Sequence, residues 1–322
     1  MNRILTVILG AGTTTCRIAL RGHRAARALG SDAVAVLAAC EPAGELGICP
    51  GDGVAYTQIP PDVALIRAIT NHPGQHPWLK DGAARDILGR GSNSGVGQGG
   101  WPGGGRSAFT LVSAPIFDQL AEIGRDAKRY NRKVECLILV NTPGGTSRGS
   151  LMEIGLLAHA ALPKAVRRML VVLPHLQDGV FVHSRRTRAL NAYTALAQVK
   201  AGMTPRRWAF HGRNGLQTSA PTTIADEILL TSPYFQLDER ASVKELASID
   251  EIVTAVARQV EGIAAGALPY RKMADLVFDS ATDWKPGRPL SALAETRIWL
   301  DDARLRAEVE RELIVQAMKE AG

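Results

Sequence analysis

Short apolar runs alternate with amphipathic stretches along most of this chain, and glycine-rich turns fall where one gives way to the other. Residues 4–9 (ILTVIL) form the first run and pass through GAGTTT into residues 16–29, where Ile18, Ala19, Ala26 and Leu29 fall on one side of a helix. A second run, Ala33–Ala39, is continuously apolar, as a strand covered on both faces must be. The two runs with the helix between them predict one βαβ unit. Residues 134–140 (VECLILV) predict another buried strand, preceded by a helix over 113–130 and followed by NTPGGTSRGS. Beyond it the pattern predicts a helix over 150–161, a strand over 168–173 and a helix over 184–200. A short strand at 227–230 and a long helix over 243–265 follow, the latter turning Leu246, Ile249, Val253, Val256 and Val260 inward.

Two stretches give no regular pattern. Residues 42–75 are broken by Gly and Pro, with a possible helix only at 62–71, and residues 203–223 read as irregular. Residues 89–106 (GRGSNSGVGQGGWPGGGR) are either a flexible linker or a backbone cradle, since glycine reaches φ > 0 without steric cost. After a Pro- and Gly-broken run at 279–290, residues 294–321 predict a last amphipathic helix with Leu305, Val309, Leu313 and Met318 at near-heptad spacing. Packing on the chain's own body is the default reading of that stripe, with partner docking or self-association behind it.

This alternation, with Gly-rich loops at the carboxyl ends of strands, is the doubly wound α/β pattern, in which ligands sit at those ends. Composition agrees: 46% apolar residues with only 5% aromatics suits parallel strands under helices better than a β-sandwich. The apolar start is too short for a secretory leader and reads as a strand, and no run is long enough to span a membrane. Cys16, Cys40, Cys49 and Cys136 form no CxxC pair, which argues against a zinc knuckle or disulfide framework and for a reducing, cytoplasmic setting. The net charge of +7 would suit an anionic ligand, but the basic residues are spread along the chain, which argues against a nucleic-acid partner. The seven histidines, among them His23 and His159, lie apart and form no metal-ligand or triad motif.

The chemistry is concentrated in the loops. Gly10, Ala11 and Gly12 lie between a strand and a helix, where free N–H groups and the helix dipole make an anion site. Thr15 holds the third glycine position of GxGxxG, and Thr13 and Thr14 offer hydroxyls for phosphate oxygens or merely for helix capping. No GxxxxGK[ST] occurs, which excludes an ordinary P-loop. Pro143, Gly144, Gly145, Thr146, Ser147, Arg148 and Gly149 form a second loop of the same kind, and two such loops in one sheet can hold one polyphosphate. Arg148 supplies either a fork to phosphate or a solvated charge. Glu41, after the second strand, could instead accept a ribose hydroxyl in a nicotinamide-binding oxidoreductase.

Taken together, GAGTTTC, the segment AACEP at 38–42, the run ending GGGR and NTPGGTSRGS resemble the nucleotide loops of the tubulin/FtsZ superfamily, bacterial and phage tubulin-like proteins above all, over residues 1–265. The resemblance implies a tubulin/FtsZ-type, Rossmann-like GTPase domain over 1–265 and a reduced helical C-terminal region over 266–322. It implies GTP or GDP with Mg2+ as cofactors. Residues Gly10 to Cys16 would hold the α- and β-phosphates, and Glu41 would approach the metal, through water. Gly103, Gly104 and Gly105, with Gly144 to Gly149, would wrap the γ-phosphate end, and Asn191 would meet the base. It also implies head-to-tail self-assembly, with slow hydrolysis assisted by an acidic loop at 266–275, where Asp275 is the candidate. Departures from the family are Pro143 and Ser147 in place of signature glycines, Arg148 in place of a small hydroxyl residue, and Pro233-Tyr234-Phe235 where a second base-reading group belongs. They raise the alternative of a nonhydrolysing binding or adaptor module.

Overall fold

A computed structural model describes residues 4–60, 102–174, 185–208, 221–231, 234–235, 244–245, 248–265 and 290–292. The predicted helices at 62–71 and 294–321, the residues before Pro102 in the glycine-rich run, Pro233, Leu246 and Asp275 lie outside them.

Seven strands form one parallel sheet: β1 (Ile4–Ala11), β2 (Ala33–Ala39), β3 (Val54–Gln58), β4 (Lys133–Asn141), β5 (Val166–Val172), β6 (Glu227–Thr231) and β9 (Leu290–Ala292). Their order across the sheet is β3-β2-β1-β4-β5-β6-β9, with every neighbouring pair parallel. A separate antiparallel pair joins β7 (Tyr234–Phe235) to β8 (Lys244–Glu245). Helices α1 (Thr13–Ala28) and α6 (Ile249–Ala264) cover one face, and α2 (Pro102–Arg129), α4 (Leu151–Ala161) and α5 (Arg185–Met203) cover the other. The fold is the doubly wound α/β fold expected from the chain's alternation.

The central strands are apolar over most of their length because side chains point alternately to two covered faces, with polar residues concentrated toward the strand ends. Ile8, Leu137, Leu139, Leu170 and Val172 pack under α1 and α6, while Val7, Leu9, Ile138, Val140, Met169 and Val171 pack under α2, α4 and α5. Gly22 lets α1 and α6 come close, since a Cβ there would stand 2.6 Å from the Val260 side chain.

Several boundaries depart from the pattern-based reading. Helix α2 begins at Pro102 rather than near 113, so Gly103, Gly104 and Gly105 lie in its first turn. Glycine disfavours helix by roughly 1 kcal/mol per residue, so propensity argued against it. Tertiary contact offsets that cost at Gly105, where the backbone of the second loop leaves no room for a side chain. Helix α6 begins at Ile249 rather than at 243: Ser248 caps it by accepting the Glu251 N–H at 3.1 Å, and the preceding Lys244–Glu245 is strand. Strands β3, β7, β8 and β9 were not predicted. VAYTQ in β3 is short and follows a turn-rich stretch, and it is ordered as a strand by pairing with β2. Leu29, read as part of the core stripe, is 65% exposed, because α1 has already ended there and the chain turns through Gly30 at φ +81.

Two arginines at the start of β5 also escaped the apolar reading of that strand. Arg167 forks onto Asp226, with Nε and Nη2 at 3.2 and 2.9 Å from the two carboxylate oxygens. Arg168, 2% exposed, lies 3.3 Å from Glu227 and 3.7 Å from Glu135. Both clusters sit at the amino ends of the strands, away from the glycine loops.

Candidate functional site

The strand order reverses between β1 and β4, since the chain leaves β1 toward β2 and β3 and returns on the other side at β4. In doubly wound sheets the crevice at such a switch point, at the carboxyl ends of the strands, is where ligands bind. Here those two strand ends carry the two glycine loops.

Gly12 closes the first loop at φ +93, a conformation that favours glycine, and its N–H donates to the Ala38 carbonyl at 2.7 Å. A Cβ on Gly12 would stand 3.4 Å from Ser147 N and 3.4 Å from Thr146 Cβ, so the two loops are in van der Waals contact. Helix α1 starts directly after Gly12 with no side-chain cap and no acidic residue in its first turn. Its N-terminal N–H groups therefore carry no cap or acidic side chain from the helix itself, and the nearby negative charge is the Glu41 carboxylate, which accepts the Thr13 hydroxyl. Thr13 and Thr14 there are half-buried. Gly10 serves packing: a Cβ would meet the Thr15 methyl at 2.9 Å, so the close strand-to-helix approach provided by the third glycine of GxGxxG is provided here by Gly10.

The second loop folds tightly. The Asn141 N–H donates to Ser147 Oγ at 2.8 Å, Thr142 Oγ1 donates to the Val172 carbonyl at 2.9 Å, and residues Gly145–Gly149 form a single helical turn, α3. Ser147, a departure from the resembled signature, thus closes the turn through its hydroxyl. Gly145, Thr146, Ser147 and Arg148 are buried, and Gly144 and Gly149 are half-buried.

The third glycine run meets the second loop backbone to backbone. A Cβ on Gly105 would fall 2.1 Å from the Gly145 carbonyl oxygen, and one on Gly149 would fall 2.1 Å from the Pro102 carbonyl oxygen. The three glycine-rich segments are therefore brought together, with Gly105 and Gly149 in contact with protein backbone. Arg106, the next residue of α2, forms an ion pair with Glu153 of α4, which is 3% exposed; burial raises the Glu153 carboxyl above its usual range, against the pull of Arg106.

Glu41 reaches over this end of the sheet from the turn after β2. Its Oε1 accepts the Thr13 hydroxyl at 2.6 Å, and its Oε2 is buried without a hydrogen-bond partner. Cys16 turns the other way: its thiol lies 3.4 Å from the Ala38 carbonyl under the sheet, and burial drives its pKa far up. Its side chain belongs to the core.

Arg148 and Asn191, assigned separate roles from the sequence, are joined. Arg148 Nη1 donates to Asn191 Oδ1 at 3.1 Å and Nη2 donates to Thr194 Oγ1, tying the second loop to α5. Burial pushes the Arg148 guanidinium down to about 10. Arg188, one turn before Asn191, is also buried, at 1% exposed.

The sequence reading missed the residues that support Glu41. Tyr56 and Gln58, on β3, donate to the backbone carbonyls of the turn that carries it. Their strand had no periodic signal, so nothing in the sequence placed them beside that turn. Among the described residues no group of three His, Cys, Asp or Glu side chains could hold a metal ion by itself, and no helix is long and apolar enough to cross a membrane.

No protein-family profile matches the chain, and no curated protein sequence matches it. Among solved structures it is similar to CetZ from Methanosaeta thermophila at 16% identity and a TM-score of 0.40, covering 87% of this chain and 57% of that one. It is similar to TubZ of Clostridium botulinum phage c-st at 10% identity and a TM-score of 0.41, covering 87% of this chain and 62% of that one. A FtsZ variant from M. jannaschii is similar at 15% identity and a TM-score of 0.45, covering 82% of this chain and 56% of that one. The chain thus spans less than two thirds of the length of each.

Proposed function

We propose that this chain is a tubulin/FtsZ-like nucleotide-binding protein that takes GTP or GDP with Mg2+ in the crevice between β1 and β4 and assembles head to tail with copies of itself. The observation that carries the reading is the contact of Gly12 with Thr146 and Ser147, which places two glycine loops and the uncapped start of α1 around one crevice at the switch point. A polyphosphate satisfies that arrangement: its negative charge complements the N–H groups of a helix N-terminus.

Glu41 fits the magnesium that such a nucleotide brings. A carboxylate beside phosphates is repelled unless a cation lies between them, and the buried Oε2 without a partner is the acceptor available to that ion or to its water. Thr13, held by Oε1, keeps the carboxylate turned toward the first loop. The same geometry speaks against a nicotinamide reading of Glu41, since the carboxylate is engaged at the start of α1 rather than directed outward to a ribose hydroxyl.

In this reading the roles of Gly103 and Gly104 at the γ-phosphate end, of Asn191 at the base and of Asp275 in assisting hydrolysis follow the family resemblance. A second reading, a nonhydrolysing module of the same fold, is favoured by one observation: Arg148 is buried and engaged with Asn191 and Thr194.

Calorimetric titration with GTP, GDP, ATP and NAD in magnesium tests the binding, with phosphate release and light scattering followed on the same sample. GTP binding with scattering and phosphate release is the expected outcome. Binding without phosphate release selects the nonhydrolysing module, and no binding of any nucleotide refutes the assignment of the loops.

A further inference from the structure

Three consecutive backbone carbonyls at the end of β2 are held by side chains of β3 and by the backbone of the residue that follows it. The Tyr56 hydroxyl lies 2.9 Å from the Ala39 oxygen and also donates to the Glu41 oxygen. Gln58 Nε2 donates to the Cys40 oxygen at 3.1 Å, and the Ile59 N–H donates to the Ala39 oxygen at 2.7 Å. Ordinary strand pairing ends at Ala39 and Gln58, so the turn that carries Glu41 has left the ladder and is held by these side chains.

The Glu41 carboxylate in turn receives the Thr13 hydroxyl at 2.6 Å, at the start of α1. We propose that Tyr56 and Gln58 are positioning residues for a magnesium-bound nucleoside triphosphate: they fix the turn after β2 so that Glu41 presents its second carboxylate oxygen to the metal side of the phosphates. This rests on the nucleotide reading of the crevice and adds the element that orients its acidic group. Tyr56 suits the task chemically. Burial raises its phenol well above the ordinary range, so it remains a donor throughout the physiological range.

A carbonyl held by one neutral donor contributes the free energy of an ordinary hydrogen bond, and transmitted to the ligand its loss corresponds to roughly fivefold in affinity. The test is a double-mutant cycle on the full chain with GTP, in magnesium and in EDTA, using Tyr56→Phe, Glu41→Gln and the pair together, with Gln58→Ala as a second probe of the same turn. Tyr56→Phe is expected to weaken GTP binding in magnesium by roughly that factor, to have a much smaller effect in EDTA, and to add nothing once Glu41 is Gln. Gln58→Ala is expected to shift binding in the same direction. Tyr130→Phe, at a tyrosine 62% exposed just past the C-terminal end of α2, is the control and is expected to leave affinity unchanged.

Additive losses in the cycle, or a Tyr56→Phe loss of equal size in EDTA, would show general loosening rather than positioning and overturn the proposal while leaving the nucleotide reading intact. Failure of the unaltered protein to bind GTP overturns the reading of the crevice, and this proposal with it.

Discussion

The contact between the first turn of α2 and the second glycine loop makes Gly105 the position least able to accept a side chain. A Cβ there would lie 2.1 Å from the Gly145 oxygen, 2.4 Å from its carbonyl carbon and 2.6 Å from Thr146 Cα. All three atoms are backbone, so no rotamer change relieves the overlap; α2 and α3 must move apart by about 1 Å to restore van der Waals distance. Overpacking of this kind typically costs about 1–3 kcal/mol, and displacement of two backbones places Gly105→Ala at or above the upper end. At a few degrees per kcal/mol for a chain of this size, the melting temperature should fall by roughly 5–10 °C. Gly262→Ala is the matched control: its position lies in α6, where a Cβ meets nothing within 4 Å, and the better helix propensity of Ala should hold stability constant or raise it by up to about 1 kcal/mol. Calorimetric melting of the two variants beside the parent checks the pair. Equal melting temperatures for Gly105→Ala and the parent would refute the backbone contact and, with it, the convergence of the three glycine segments.

Arg168→Met strips the buried Glu227 carboxylate of its guanidinium neighbour and should cost about 3–5 kcal/mol, read from a urea unfolding curve. Ser147→Ala removes the acceptor of the Asn141 N–H and should cost about 1–3 kcal/mol, with a loss of GTP affinity in the same titration; unchanged stability would show that the second loop does not depend on that hydroxyl. Stability should also fall on acidification through His23. Burial, opposed by the Ala33 carbonyl, holds the folded imidazole below its ordinary value of about 6.5, so the unfolded chain takes up the proton first. The resulting stability is complete above that ordinary value and is lost as pH falls below it. A urea midpoint that drops between about pH 7.5 and 5.5 in the parent, and drops less in His23→Gln, is the expected result; His159, lowered in the same direction by burial, accounts for part of what remains.

Much of the fold was legible because buried parallel strands leave a signal that needs no partner to be read. ILTVIL, AVAVLAA and VECLILV are apolar at nearly every position, Thr6 and Glu135 excepted, and each is followed by a turn or loop that glycine or proline marks. The first two glycine loops were legible for the same reason, since their glycines stand at the ends of recognisable strands. Bringing them together depended on the strand order, which sets β1 beside β4 and which the sequence pattern did not give.

Tertiary structure decided the rest, and in each instance a distant contact outweighed a local preference. Three glycines in succession disfavour helix, yet Gly103, Gly104 and Gly105 are helical, and at Gly105 the second loop leaves no room for a side chain. VAYTQ became a strand by pairing with β2, which set Tyr56 and Gln58 on the turn that carries Glu41. The sequence suggested Arg148 and Asn191 as two separate ligand contacts, whereas packing of α3 against α5 made them partners of one another. Composition and periodicity by themselves determined which segments are buried and where the chain turns, because those are sums over neighbouring residues. Which polar groups share a crevice depends on residues tens of positions apart, and only the folded chain brings those together.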